Sequence, residues 1–154
     1  MDKINIEHFS PPSDEKRIEK ILMELDSAII PKLSGRVNIN EYAKKLAHTA
    51  DIFFVRKEET DIGHCAVYLN NSEFGYISSI SVNKEYRRMH IGSKLYKKVD
   101  KLAISKGIFT IRLKVFAQNQ DALRFYKHMG FEVASIEEEW ISMQRRINKS
   151  VNTL

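Results

Sequence analysis

Between residues 74 and 107 the chain changes its apolar period within a few residues, and few folds tolerate such a switch. FGYISSISV (74–82) is apolar and β-branched, so it reads as a strand. A short polar turn follows. Ile91, Leu95, Val99 and Leu102 then recur at helical spacing, with Gly107 placed to end the helix. A strand that feeds a helix through a short loop leaves the first helical N–H groups without intrahelical partners. They lie at the positive end of the helix dipole, which makes an anion site out of main chain. Arg87 and Arg88 fall in the turn, and the small Gly92 allows a diphosphate to approach the backbone. The spacing fits neither the P-loop nor the three-glycine dinucleotide fingerprint.

The remaining apolar pattern supplies the partners of this unit. Ile4, Ile6 and Phe9 suggest a first strand, closed by Pro11 and Pro12. Ser13 or Asp14 can cap a helix whose stripe is Ile18, Ile21, Leu22, Leu25 and Ile29, and Pro31 stops it. PKLSGRVN (31–38) is a loop, and Asn40 is expected to cap a second helix bearing Tyr42, Ala43, Leu46 and Ala47. Strands follow at 52–55, 63–69 and 74–82, and later at 109–115, 131–136 and 139–147. A helix over 119–129 ends at Gly130. The order is strand, two helices, three strands, helix, strand, helix, two strands. That order predicts an α/β fold with a mixed sheet, in which ligands gather where neighbouring strands splay at their carboxyl ends. Residues 1–147 are expected to form one domain and 148–154 a loose polar tail.

Charge and composition narrow the function classes. The net charge of +5 suits a polyanionic ligand, and equally a solvated basic surface. Lys94, Lys97, Lys98, Lys101 and Lys106 are spread over one helix with no aromatic interleaving or zinc spacing, so no nucleic-acid partner is expected. No apolar run approaches the ~20 residues of a membrane helix, and no signal-peptide core is visible, so no membrane partner and a cytoplasmic location are expected. The single cysteine, Cys65, reads as a buried thiol in a strand. No histidine pair has metal-ligand spacing with a third ligand, so no metal is assigned.

Two motifs together carry a family resemblance. Arg87, Arg88, Met89, His90, Ile91 and Gly92 resemble the acyl-CoA pyrophosphate loop of the GNAT superfamily of N-acetyltransferases, Gln/Arg-x-x-Gly-x-Gly/Ala, with His90 in place of the first glycine. Histidine accepts a positive φ better than most residues and worse than glycine. NQDALRFYKHMGF (119–131) resembles that superfamily's Asn-x-x-Ala-x-x-x-Tyr-x-x-x-Gly-Phe helix, matching at Asn119, Ala122, Tyr126, Gly130 and Phe131. The resemblance implies the GNAT fold, a mostly antiparallel mixed sheet of about seven strands flanked by four helices.

It also implies acetyl transfer from acetyl-CoA, as acyl-donor substrate, to a primary amine in a ternary complex. The acceptor would be a small metabolite, an amino sugar or a protein or peptide amine, and the chain a monomer or homodimer. A non-catalytic acyl-CoA-binding domain is the second reading. Donor contacts would come from Ile80, Ser81, Val82, Arg87, Arg88, Met89, His90, Ile91, Gly92, Ser93, Lys94, Asn119, Ala122 and Tyr126. Tyr126 would protonate the departing thiolate, although as a core aromatic it has a plain packing role too. No carboxylate lies within the fourth strand to serve as base. Tyr76, Ser78 and Ser79 are its polar side chains, and strict alternation puts Tyr76 and Ser78 on one face and Ser79 on the other. Tyr76 and Ser78 are the candidates for handling the amine proton, a serine by holding a relay water. Leu33, Ser34 and Arg36 are the acceptor-binding candidates. Arg36 can pair with a substrate carboxylate or phosphate, or stand as a solvated loop charge.

Overall fold

A computed structural model describes residues 3–26, 31–87 and 90–147. The strands are β1 (Ile4–Phe9), β2 (Asp51–Lys57), β3 (Thr60–Tyr68), β4 (Gly75–Val82), β5 (Thr110–Phe116), β6 (Glu132–Glu137) and β7 (Trp140–Arg146). The α-helices are α1 (Glu15–Leu25), α2 (Ile39–Thr49), α3 (Ile91–Ser105) and α4 (Gln120–His128). The seven strands form one sheet in the order β1-β2-β3-β4-β5-β7-β6, with β4 and β5 parallel and every other pair antiparallel. The α/β expectation holds, strand by strand.

Capping chemistry sets the helix ends. Asp14 Oδ1 accepts from the N–H groups of Lys16 and Arg17 and starts α1. Asn38 caps α2 by accepting from Glu41 N–H, and not Asn40, which lies inside the helix and donates to Glu19. The capping candidate was misread because two asparagines lie two residues apart. Only Asn38 has the extended backbone that lets its side chain fold over the first turn. Gly107 and Gly130 take φ of +75° and +96° after α3 and α4. Ile29, on the predicted α1 stripe, and the tail 148–154 lie outside the described residues.

The sheet separates two apolar layers. On one face, Ile91, Leu95, Tyr96, Val99 and Ala103 of α3 pack with Leu123 of α4 on Phe53, Val55, Cys65, Val67, Ile77, Ile111, Leu113 and Met143. On the other, α1 and α2 pair through Ile18, Ile21, Leu22, Leu25, Ala43, Leu46 and Ala47 and cover Ile52, Phe54 and Ala66. An ion pair runs through the first layer, where Arg145 of β7 donates to Asp100 of α3 at 2.6 Å. Burial raises the Asp100 carboxyl above the ordinary range and Arg145 pulls it back.

Two irregularities shape β4. Its register with β3 shifts between Ala66 and Val67, so Ser78 opposes no single residue. Its parallel pairing with β5 ends after Gly75↔Ile111 and Tyr76↔Arg112. Beyond that point Ile77–Val82 has no β5 ladder partner, and the sheet opens between its two central strands.

Candidate active site

The loop after β4 is built to present main-chain donors. Asn83 caps a 3-10 turn over Lys84–Tyr86 by accepting from Glu85 N–H. Arg87 Nε donates back to the Val82 carbonyl at 3.2 Å, tying the loop to the strand end. Arg88 and Met89 lie outside the described residues. His90 then takes the left-handed conformation, φ 57° and ψ 24°, immediately before α3. This is the position where the GNAT loop motif has glycine, and the histidine adopts the turn that glycine would. The His90 carbonyl accepts from Lys94 N–H, and its side chain makes no cap bond. Helix geometry therefore leaves the N–H groups of Ile91, Gly92 and Ser93 directed out of the helix start.

Gly92 has a second use that the motif does not show. A Cβ there would lie 2.7 Å from the Phe125 ring of α4, so the missing side chain seats α4 against the start of α3. The ring fills the space on the Cβ side of Gly92, while the Gly92 N–H stays directed out of the helix start. Ser93 Oγ reaches Met129 Sδ at 3.6 Å across the same seam, and Lys94 is exposed.

On α4, Asn119 accepts from Ala122 N–H at 3.1 Å and caps the helix. Ala122 and Tyr126 pack on the main core. The Tyr126 ring meets Tyr96, Phe125 and Phe131 edge-on at 6.3, 5.5 and 5.7 Å. Burial pushes the Tyr126 phenol up to about 12, partly offset by the neighbouring Tyr96 hydroxyl. It is close enough to Cys65 for that thiol to act on it, and Cys65 is paired across β3 with Ile80 of β4. Tyr126 therefore lies in the α3/α4 layer near the middle of β3 and β4. Tyr96 was missed by sequence reasoning, although it shares the spacing of the α3 stripe. Its hydroxyl is buried without a well-formed hydrogen bond, and burial holds it well above the usual phenol range.

The other face of β4 carries the polar groups. Alternation is broken at the bulge, so Ser78 and Ser79 share a face and the expectation of opposite faces is corrected. Ser78 Oγ lies 2.5 Å from the Tyr42 hydroxyl of α2, which also donates to the Ser78 carbonyl. Ser79 Oγ lies 2.7 Å from His64 Nε2, and Ser81 Oγ lies 2.7 Å from His64 Nδ1. His64 is fully buried, and burial depresses its imidazole to about 4, so it is neutral near pH 7. Tyr76 is half-buried on this face. Burial raises its phenol, as it does that of Tyr42, which reaches about 12; the Arg36 charge lowers both. Ile80 and Val82 turn to the main core instead, so their contribution to the opening is backbone.

Of the three acceptor candidates, one faces this site. Leu33 is buried in the α1/α2 layer, and Ser34 is bonded through N–H and Oγ to Asp26 at 2.9 and 2.7 Å. Both secure the turn between the helices, Leu33 by packing and Ser34 by its bonds to Asp26. Arg36 is exposed, with its guanidinium 5.1 Å from the centre of the Trp140 ring. Trp140 meets Phe116 edge-on at 5.4 Å, at the carboxyl end of β5. Cys65 is buried as expected, and burial raises its thiol far above the range of a nucleophile. Among the described residues, no group of three His, Cys, Asp or Glu side chains is placed to hold a metal, and no helix is long and apolar enough to cross a membrane.

The arrangement can hold an anion on the α3 amides, thread an extended chain into the β4–β5 opening, and place a phenol beside its end. Comparison with known proteins shows the family. The acetyltransferase (GNAT) family model matches residues 16–131. Thialysine N-epsilon-acetyltransferase of Mus musculus is 36% identical over 69 residues, 45% of this chain and 41% of that protein. The same enzyme of Bos taurus is 40% identical over 65 residues, 42% of this chain and 38% of that protein. The matched stretch thus spans about two fifths of these curated relatives. The PaiA N-acetyltransferase of Thermoplasma acidophilum, solved with coenzyme A, superposes with a TM-score of 0.75 at 18% identity, covering 94% of this chain and 99% of that one. A GNAT acetyltransferase of Elizabethkingia anophelis with acetyl-CoA bound gives 0.70 at 16% identity, covering 94% and 98%. With its loop, its opened sheet and its tyrosine helix in the family's order, this chain belongs to the GNAT family of acetyltransferases.

Proposed function

We propose that this chain transfers an acetyl group from acetyl-CoA to a primary amine by direct attack in a ternary complex. The observation that carries the reading is the loss of β4–β5 pairing beyond Tyr76 and Arg112, between the α3 amides and Tyr126. An acyl donor fits there as a whole. The α3 amides hold its diphosphate, free main-chain groups of Ile77–Val82 bond its arm, and an N–H among them polarises the thioester carbonyl. Tyr126 gives its proton to the departing thiolate as the C–S bond breaks and the new C–N bond forms. A thiol with a pKa near 8.5 is a fair leaving group, so this help is worth about 10²-fold.

The amine must shed its proton before attack, at a cost of about 5 kcal/mol for a pKa near 10.4 at pH 7. Ser78, held by Tyr42, and Tyr76 border the space where it arrives and hold a water that carries the proton to solvent. Buried neutral His64 is a poor proton store, so its two serine bonds serve to fix β3 against β4. The matches to thialysine N-epsilon-acetyltransferases and the coenzyme A-bound structural neighbours support the transfer reading.

Calorimetric titration with acetyl-CoA, with ATP as control, tests it first. Saturable binding that ATP does not mimic, followed by transfer to members of an amine panel, is the expected result. Binding without transfer to any amine would favour a non-catalytic acyl-CoA domain. An absence of binding would refute both readings.

A further inference from the structure

No polar group on the α1/α2 side of β4 is suited to take the proton of an incoming ammonium ion. A phenol ordinarily keeps its proton to about pH 10. Burial pushes Tyr42 up to about 12 and raises Tyr76 as well. The Tyr42 hydroxyl is shared between Ser78 Oγ and the Ser78 carbonyl. Both ring nitrogens of His64 are engaged by serines, at 2.7 Å each, and taking up a proton there would charge a fully buried imidazole. An effective base has a pKa near the working pH, and none of these groups has one.

Carboxylates are placed elsewhere. Tyr42 is acted on by Tyr68, Arg36 and Tyr76, and Tyr76 by Arg36 and Tyr68, with no acidic group among these neighbours. Arg112 of β5 is set opposite Tyr76. Glu132 and Glu137 reach this side of the sheet on the outer strand β6, opposite Gln144 and Trp140. Three strand spacings, about 14 Å at the paired end, separate β6 from β4. Glu41 adjoins Tyr42 in α2 and Glu73 precedes β4, and both are exposed. Asp26 is bonded to Ser34, Asp51 to His8, and Glu7 and Asp61 to Arg17. Among the described residues, an alkylammonium ion therefore meets neither a counter-charge nor a base beside Ser78.

We infer that the acceptor is a weakly basic nitrogen, already uncharged at pH 7, such as an alkoxyamine, a hydrazide or an aromatic amine, and not an alkylammonium ion. This rests on the transfer reading above and names the acceptor class for the same site. The free lone pair attacks the thioester carbon as the C–N bond forms. The C–S bond breaks with its electron pair on sulfur, which is protonated, and nitrogen sheds one proton to the water at Ser78. An alkyl amine of pKa about 10.4 is uncharged in only about one molecule in 2,500 at pH 7, so it enters the same path at that fraction of its concentration.

The test pairs alkoxyamines with alkyl amines of the same shape, methoxyamine with ethylamine and benzyloxyamine with phenethylamine. For each, kcat/KM is followed from about pH 6 to 9 with the uncatalysed reaction subtracted. At pH 7 we expect at least one alkoxyamine to exceed its partner by ~10²-fold or more. Its profile should be flat, whereas the alkyl amine should gain ~10-fold per pH unit as its neutral fraction grows. Ser78→Asp, checked by thermal unfolding, sets a carboxylate beside Tyr42 and should lift the alkyl amine by ~10-fold at pH 7 and flatten its slope. An alkyl amine that matches its partner at pH 7, or whose profile is flat across the range, would overturn the inference. Acetyl-CoA titration of the same samples keeps the two failures apart. Lost donor binding, or transfer to neither series, sinks the transfer reading and this inference with it; intact donor binding with equal transfer to the alkyl series sinks only this inference.

Discussion

The two faces of the sheet are closed in different ways. Under α3 and α4 the layer is continuous and largely apolar, and the ion pair Asp100–Arg145 within it is mostly buried. Under α1 and α2 the layer stops short, leaving a polar, cationic floor on β5 and β7. The donor side of the proposed reaction uses the first face and the start of its helix, where rigid packing holds main-chain amides in place. The acceptor side of the proposed reaction uses the second face, where Tyr76 and Ser78 of β4 lie beside Tyr42 of α2. The contrast teaches that groups bound up with a continuous core are fixed by packing, while groups on a partly covered face are held mainly by local hydrogen bonds.

The largest expected effect lies in the closed face. Asp100→Ala leaves the Arg145 guanidinium buried without its partner and should cost about 3–5 kcal/mol of unfolding free energy in urea titrations. Replacing Arg145 by Met in the same chain should recover most of the loss. If Asp100→Ala alone is nearly silent, the pair contributes nothing to the difference between the faces.

Acidification should act through the other face. His64 has its imidazole depressed to about 4 from about 6.5. Between those values the unfolded chain takes up a proton that the folded chain refuses, so stability falls as pH drops through this window. The loss approaches roughly 3 kcal/mol below pH 4. In His64→Gln that component should vanish from the pH dependence of the urea midpoint, whatever the variant's stability at pH 7. An unchanged profile would show that His64 keeps its proton when folded.

Tyr126→Phe bears on the junction of the two halves. We expect turnover to drop about 10²-fold with acetyl-CoA affinity nearly unchanged. Because burial lifts the phenol to about 12, the wild type should show no alkaline loss of activity from Tyr126 up to pH 10. Full turnover in the variant, with chemistry rate-limiting, would remove the tyrosine from the mechanism.

The smallest changes probe local strain. His90→Gly relieves a left-handed histidine and should stabilise by ~1 kcal/mol, offset in part by glycine's unfolded-state entropy. Tyr96→Phe deletes a buried hydroxyl that lacks a good hydrogen bond and should be neutral or stabilising by about 1 kcal/mol. Thermal unfolding of each variant decides both; a large loss in either would mean that the side chain has a partner of its own.

Much of the α3/α4 half of the fold was legible because its parts are short and contiguous. The β4–loop–α3 unit and the Asn119–Phe131 helix each place their groups by local geometry: caps at Asn83 and Asn119, a left-handed turn at His90, a stripe at Ile91, Leu95 and Val99. Tyr96 shares that helical face, yet periodicity does not reveal whether a buried hydroxyl finds a partner. On β4 the alternation rule failed at Ser78, where one residue of slip against β3 turned Ser79 to the same face. Nothing in FGYISSISV marks that slip, because the bulge depends on the neighbouring strand.

By itself, then, the sequence determined the order of elements, the loop that offers amides to an anion and the tyrosine that follows it, because helical period, capping and turn chemistry act over a few residues. Tertiary structure alone decided which groups meet across long separations. Arg36 lies over Trp140, Tyr42 over Ser78, and His64 between Ser79 and Ser81. It also decided that, among the described residues, the α1/α2 pair packs on β2 and β3. Those outcomes follow from how far two short helices reach across a twisted seven-stranded sheet, a quantity set by the whole fold and by no single segment.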